Sequence, residues 1–225
     1  MTVQDFTIHS KADLTEAVET FGFLPFFANS VASFSVEEHI APGLWFTDRE
    51  GPWEWKGPVI RETGCAYGKL FEKKAAFVSR QWFPHLANYR RDGYDFDARC
   101  EDGLANLRDK RLYDLIGDNA PVLSKQLKQL GHYGKDGHKG FETIVSRLQS
   151  QCYVVISDFV YQRDKYGQTY GWGVAQYDTP ERFMGEAFTD RVYRCEPEES
   201  REKLLAHLTA LFPYENAARL KKFLG

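Results

Sequence analysis

Apolar side chains recur at helical spacing in the second half of the chain. Phe141, Ile144, Val145 and Leu148 stand at i, i+3, i+4 and i+7, and predict an amphipathic helix with an apolar back and a polar front. Ahead of it, Leu112, Leu115 and Ile116 mark a helix beginning near Arg108, and Leu127 and Leu130 mark another that Ser124 caps and Gly131 stops. These two form a helix-turn-helix pair, and a polar, Gly-rich connection from Gly131 to Gly140 leads to the third. The period then shortens. Tyr153-Val154-Val155-Ile156 opens a strand, Gln162 to Gln168 is a polar loop, and Tyr170 to Tyr177 is a returning strand. Three helices followed by a two-stranded ribbon is the order of a winged helix-turn-helix.

The first half is less regular. Leu14, Ala17 and Val18 predict a short helix over 12–20, with Gly22 just beyond its end. Phe21, Phe23, Leu24, Phe26 and Phe27, interrupted by Pro25, read as an irregular segment plugging a core. Residues 44–62 read as extended, because Trp45, Phe46, Trp53, Trp55, Val59 and Ile60 are strand formers and Gly51-Pro52 and Gly57-Pro58 punctuate them as turns. A hairpin follows, with 66–71 and 75–79 flanking the charged connection Glu72-Lys73-Lys74. A helical turn from Ser79 carries Gln81 to Leu86, and Arg90 to Asp97 reads as a turn and a short strand. Beyond Pro197, Leu204, Leu205, Leu208, Leu211 and Phe212 predict one helix, and Ala217, Leu220 and Leu224 a final short one. The expected fold is α+β, with tandem winged helix-turn-helix-like modules, short β-hairpins and a C-terminal helical segment. The boundaries expected are a degenerate winged-helix-like region over 1–105, a winged helix-turn-helix over 106–178 and a helical extension over 179–225.

No stretch reaches the ~18 apolar residues of a membrane helix, and Met1 to Phe6 lack the basic end and apolar run of a signal peptide. A cytoplasmic protein without membrane contact is expected. Cys65, Cys100, Cys152 and Cys195 are too scattered for a Cys-x-x-Cys zinc pair or a disulfide framework. His132 and His138 have no cysteine partner, and no Gly-rich loop ends in Lys-Ser or Lys-Thr, so neither metal nor cofactor is expected.

Charge changes the picture more. The net charge is −3, yet residues 69–91 carry +5 and 121–176 carry +3, against −6 over 1–68, −4 over 92–120 and −1 over 177–225. Association with phosphates depends on the local field, so basic patches on an acidic chain can still hold a polyanion. Lys73 and Lys74 at the hairpin tip, and Lys125, Lys128, Lys135, His138, Lys139, Arg147, Arg163 and Lys165 on the helices and wing, are the candidate phosphate contacts. His138 and Lys139 open the third helix, whose N-terminal residues would enter a major groove. This requires the cations to form one strip over wing, third helix and hairpin; cations scattered, or locked into pairs with neighbouring acids, would end the polynucleotide reading. It also implies that Lys139→Glu with Arg147→Glu abolishes duplex binding and leaves the melting temperature nearly unchanged.

Ala75 to Pro84, followed by the winged-helix pattern, resembles the later part of AlkZ-type (YcaQ-like) winged-helix DNA glycosylases, over roughly residues 65–180. Tyr177-Asp178-Thr179-Pro180-Glu181 is similar to that family's closing motif. Gly51 to Pro58, together with Asn88 to Asp97, resembles more closely a group of bacterial proteins called AlkZ-related. The resemblance implies tandem winged helices and double-stranded DNA as partner. The glycosylases carry a catalytic Gln-x-Gln or Gln-x-Asp near their start, which positions water and stabilises charge at the sugar. Here Gln149-Ser150-Gln151 stands after the hairpin segment and reads as a helix end, and Tyr67-Gly68-Lys69 replaces the family's aromatic-Trp-x-His arrangement.

Trp53-Glu54-Trp55, read as a strand, puts both indoles on one face, where they pack in the core or line a pocket for an unpaired base with Arg90 and Arg91 near. Glu54, Asp95 and Asp97 are the weak catalytic candidates, since paired carboxylates divide acid and base roles; ion pairing and turn chemistry explain them equally. The sequence therefore points to a nucleic-acid-binding protein that holds duplex DNA mainly through phosphates, and it leans against an enzyme without deciding the question. The alternatives are a DNA glycosylase or similar lesion enzyme, and a non-enzymatic protein-interaction module.

Overall fold

Ser10 starts the first helix: its hydroxyl accepts from the Asp13 N–H at 3.3 Å, and α1 (Lys11–Phe21) buries Leu14, Ala17, Val18 and Phe21 before ending at Gly22. The computed structural model of the chain describes residues 3, 6–47 and 50–225. Most of the start on which the signal-peptide reading rests, Met1, Thr2, Gln4 and Asp5, lies outside the described residues. The apolar knot is more regular than expected, because Phe23–Pro25 forms a short strand, β1, with Pro25 at a sheet edge where no N–H is needed. A single turn, α2 (Val36–His39), follows.

Residues 52–63 overturn the extended reading of 44–62. They form a helix, α3 (Pro52–Thr63), with Pro52 in its first turn, Glu54 Oε2 accepting from the Gly51 N–H at 2.9 Å, and Gly64 closing it in the left-handed region. The β-forming Trp, Val and Ile side chains lose to these end signals and to burial of Trp55, Val59 and Ile60. Gly57 and Pro58 lie inside the helix and make no turn. The hairpin forms as expected, β2 (Ala66–Phe71) and β3 (Lys74–Val78), but around a two-residue turn with Glu72 and Lys73 at positive φ. The order β1-β3-β2 completes a three-stranded antiparallel sheet.

The next helix, α4 (Phe83–Arg91), ends at Asp92 in the left-handed region. The strand expected near Asp95 is instead α5 (Phe96–Glu101), because the Asp95 carboxylate accepts from the Ala98 N–H at 2.8 Å and caps a helix. The three periodic segments follow as α6 (Leu107–Asn119), α7 (Ser124–Leu130) and α8 (Phe141–Ser150), with a two-residue strand, β4 (Val122–Leu123), between the first two. At the start of α7 it is Gln126 Oε1, not Ser124, that takes up a backbone donor, the Leu123 N–H at 3.2 Å. The ribbon is β5 (Val155–Arg163) and β6 (Thr169–Asp178), and the second sheet has the order β4-β6-β5.

Both halves therefore run helix, strand, helix, helix, hairpin, and both sheets place the first strand beside the third. They also dock reciprocally. α3 packs on β5 and α8 packs on β2, so the third helix of each half lies against a hairpin strand of the other. Two glycines permit the approach: a Cβ on Gly57 would meet Asp158 Oδ1 at 3.1 Å, and one on Gly68 would meet Gln149 Cδ at 3.3 Å. Four helices close the chain, α9 (Pro180–Met184), α10 (Glu186–Val192), α11 (Pro197–Leu211) and α12 (Ala217–Leu224). α11 packs on α4, and Phe223 of α12 stacks on Phe71 at 4.5 Å. All four cysteines are free thiols, and among the described residues no helix is long and apolar enough to cross a membrane.

Candidate nucleic-acid interface

The mutual docking of the halves decides which cations face outward. The +5 segment offers less basic surface than its sum suggests: most of its cations bond to neighbouring groups, and only Lys73, Lys74 and Arg80 are exposed. Lys69 Nζ donates to Ser146 Oγ at 3.1 Å, Lys74 Nζ to the Ala28 carbonyl at 2.6 Å, and Arg80 to the Met184 carbonyl at 3.1 Å. Arg90 donates to the Ser150 carbonyl at 2.9 Å and to that of Leu224, with its guanidinium over Phe71. Arg91 is fully buried. Lys73, in the hairpin turn, is the one cation of this segment without a bonded partner among the described residues. The hairpin's share of the expected strip is therefore Lys73 and Lys74, since Lys69 and Arg90 are partly buried and Arg91 is fully buried.

The third helix also presents less than expected. Gln149 is buried against β2, its Oε1 accepting from the Lys69 N–H at 3.1 Å, and the Gln149-Ser150-Gln151 stretch ends α8. Arg147 Nε donates to Asp109 Oδ2 at 2.6 Å, its Nη2 to the other oxygen, and Asp109 is only 4% exposed. Lys128 is paired with Glu142 at 2.8 Å and lies over Phe141. Arg147→Glu would face a second carboxylate to Asp109, so it cannot separate binding from stability as first expected. Arg147→Ala should lower stability by roughly 1–2 kcal/mol in urea unfolding, the half-exposed guanidinium moderating the usual cost of orphaning a buried charge.

The outward cations converge elsewhere. A cleft of about 580 Å³ opens between α6, α7 and the start of α8, lined by Arg108, Arg111, His132, Tyr133, His138 and Lys139. Its one lining carboxylate, Asp114, is already held by Lys110 Nζ at 2.6 Å. Among the described residues no ion pair engages Arg108, Arg111 or Lys139. The connection closes on itself, with the His138 N–H donating to the His132 carbonyl at 2.8 Å, and this sets His138 and Lys139 at the mouth. No side chain caps α8, so its first N–H groups and its positive dipole end are left open next to Lys139 in the chain. Tyr133 lies among these groups: burial raises its hydroxyl pKa, and Arg108 and Arg111 draw it back. Segment sums hid both arginines within a net negative stretch. Their spacing of three on a helix whose apolar residues face inward was the signal that would have found them.

The remaining candidates separate. Lys125 is exposed on α7, Lys135 is exposed in the connection, and Arg163 and Lys165 are exposed on the wing, Lys165 beside the ring of Tyr166. Trp53 and Trp55 do not share a face, because on a helix two positions apart means nearly opposite sides; Trp55 is in the core and Trp53 is half-buried. Arg90 and Arg91 bond to the C-terminal helices and the end of α8, so they do not join Trp53 in a pocket. Glu54 caps α3, Asp95 caps α5, and Asp97 is exposed, 3.5 Å from Lys110. Among the described residues no three His, Cys, Asp or Glu side chains are grouped to hold a metal.

The sequence model of a family described as AlkZ related matches residues 8–225, spanning both halves and the closing helices. No curated protein and no solved structure matches the chain.

Proposed function

Because the chain belongs to the AlkZ-related family, we propose that it binds duplex DNA through phosphate contacts, without catalysis, using residues 106–178 as a winged helix-turn-helix. In this reading the two halves are tandem winged helices, and the third helix of each is committed to the junction instead of to a groove. The observation that carries the proposal is the cleft in which Arg108, Arg111 and Lys139 converge with no ion pair among the described residues, its one lining carboxylate, Asp114, being held by Lys110. Cations held this way keep their field for an external anion, and a run of phosphates offers several at once. Lys125, Arg163 and Lys165 extend the same unit toward the helix-turn-helix and the wing. The relation to AlkZ-type proteins supports DNA over other polyanions.

The test is fluorescence anisotropy on a labelled 20-base-pair duplex at several salt concentrations, with Arg108→Glu, Arg111→Glu and Lys139→Glu combined. Loss of three phosphate contacts should weaken binding on the order of 100-fold and flatten the salt slope by roughly 3. The three side chains lie at the surface, so the melting temperature should hold. Affinity unchanged in the triple variant would remove this unit from the interface, and a wild-type protein that ignores every duplex would end the proposal.

A further inference from the structure

One buried cation has no place in the interface above. Lys56, on α3, is only 7% exposed, and its ammonium lies over two rings, 4.7 Å from the Trp53 centroid and 4.2 Å from that of Phe159. Among the described residues it has no hydrogen-bond acceptor and no carboxylate at bonding distance. The acids nearby are engaged elsewhere: Glu54 holds the Gly51 N–H, and Asp158 is paired with Arg61. Tyr161, also beside it, donates its hydroxyl to the Trp53 carbonyl at 3.1 Å. An ammonium carries three donors, and among the described residues no protein oxygen takes them.

The rings around it are unusual in the opposite sense, being exposed. Phe46 is 62% and Trp172 is 68% exposed, and both pack on Trp53, at 4.9 Å and 31° and at 5.7 Å and 74°. Folding thus leaves the rings of Phe46 and Trp172 facing solvent against Trp53, the indole over which the Lys56 ammonium lies. Trp172 lies on β6, just after the wing tip that carries Arg163 and Lys165.

We propose that Lys56, Phe46, Trp53 and Trp172 form a binding site for an unpaired guanine base. Any nucleobase offers a flat face for stacking, but a lysine ammonium discriminates by acceptors on the ring edge. Guanine presents two adjacent ones, O6 and N7, and thymine lacks that pair. In a paired stretch the face is covered by neighbouring bases, so the site takes a bulged, looped or single-stranded guanine. The proposal rests on the nucleic-acid reading but uses a surface separate from the cleft.

Three labelled hairpin duplexes test it: fully paired, with one bulged guanine, and with one bulged thymine. The bulged guanine should bind roughly 10-fold tighter than the paired form and quench tryptophan fluorescence on binding. Lys56→Met, which keeps the length and packing of the side chain, and Trp172→Ala, at an exposed position, should each erase that preference and keep paired-duplex affinity. Equal affinity for all three duplexes, or a preference that survives both variants, overturns the proposal. Binding of the bulged guanine without the paired duplex would support it and remove the cleft reading; binding of none would remove both.

Discussion

Arg91→Ala is expected to cost about 3–5 kcal/mol of stability, the range for breaking a buried ion pair by deleting one partner. The guanidinium is fully buried and joins three parts of the chain. Its Nη1 donates to Glu181 Oε1 at 2.7 Å and to the Tyr193 hydroxyl at 2.9 Å, and its Nη2 donates to the Cys152 carbonyl at 2.7 Å. Tyr153 and Phe188 cover its faces at 4.5 and 5.2 Å. Burial opposes the charge, but the Glu181 carboxylate and the Tyr193 hydroxyl outweigh it and hold the group above its ordinary pKa. Alanine leaves a void and strips the Cys152 carbonyl of its donor where α8 passes into β5. Arg91→Lys should rescue little, because one ammonium cannot reach three acceptors fanned around a planar fork. Glu181→Gln should cost less, since the amide oxygen can still accept from Arg91 Nη1. Guanidinium chloride unfolding of the three variants measures all of this; a loss under about 1 kcal/mol for Arg91→Ala would mean the closing helices are held by their apolar faces alone.

Arg91 also shows where the sequence stops being informative. A pair of arginines beside aspartates reads as a surface or a pocket, and nothing in Asn88 to Asp97 says that Glu181 and Tyr193, about a hundred positions later, will enclose one of them. Local patterns fared better. The helices α1, α6, α7, α8 and α11 were legible because each repeats apolar residues at one period along a continuous segment, and the β2–β3 hairpin because two apolar runs flank a short charged turn. The error at 52–63 is of another kind. Trp, Val and Ile favour strands and Pro58 argues against a helix interior, yet Pro52 and Glu54 specify a helix start and burial of one face does the rest. Summing charge over segments failed for a geometric reason. A helix spreads consecutive residues around its axis, so the net sign of a segment says little about any one face. Lys69, Arg90 and Arg91 are therefore wholly or partly buried within a net positive segment, while Arg108 and Arg111 are exposed within a net negative one.

The reciprocal docking of the halves gives Lys56 its setting, at the seam between α3 and β5, and makes it the second place where one substitution should have a large effect. Burial lowers its pKa from 10.5 to about 8, with the Glu54 charge opposing. A folded-state value below the unfolded one means the folded protein resists the proton. The penalty is therefore complete below pH 8 and vanishes above 10.5. Lys56→Met has no such penalty but loses the ammonium's contacts with the Trp53 and Phe159 rings, so at pH 7 it should be more stable than the wild type by about 1–3 kcal/mol, and the gap should narrow between pH 8 and 10.5. Unfolding in urea at several pH values across that window measures the difference and cancels groups common to both proteins. A gap that is already absent at pH 7, or one that does not change with pH, would show that the ammonium is not desolvated. The same titration acts in reverse on the ligand. A guanine edge needs the charged donor, so as pH rises through 8 the wild type should gain stability and lose its preference for the bulged base. A side chain that destabilises the free protein and is relieved by what it binds would give residue 56 a reason to be lysine.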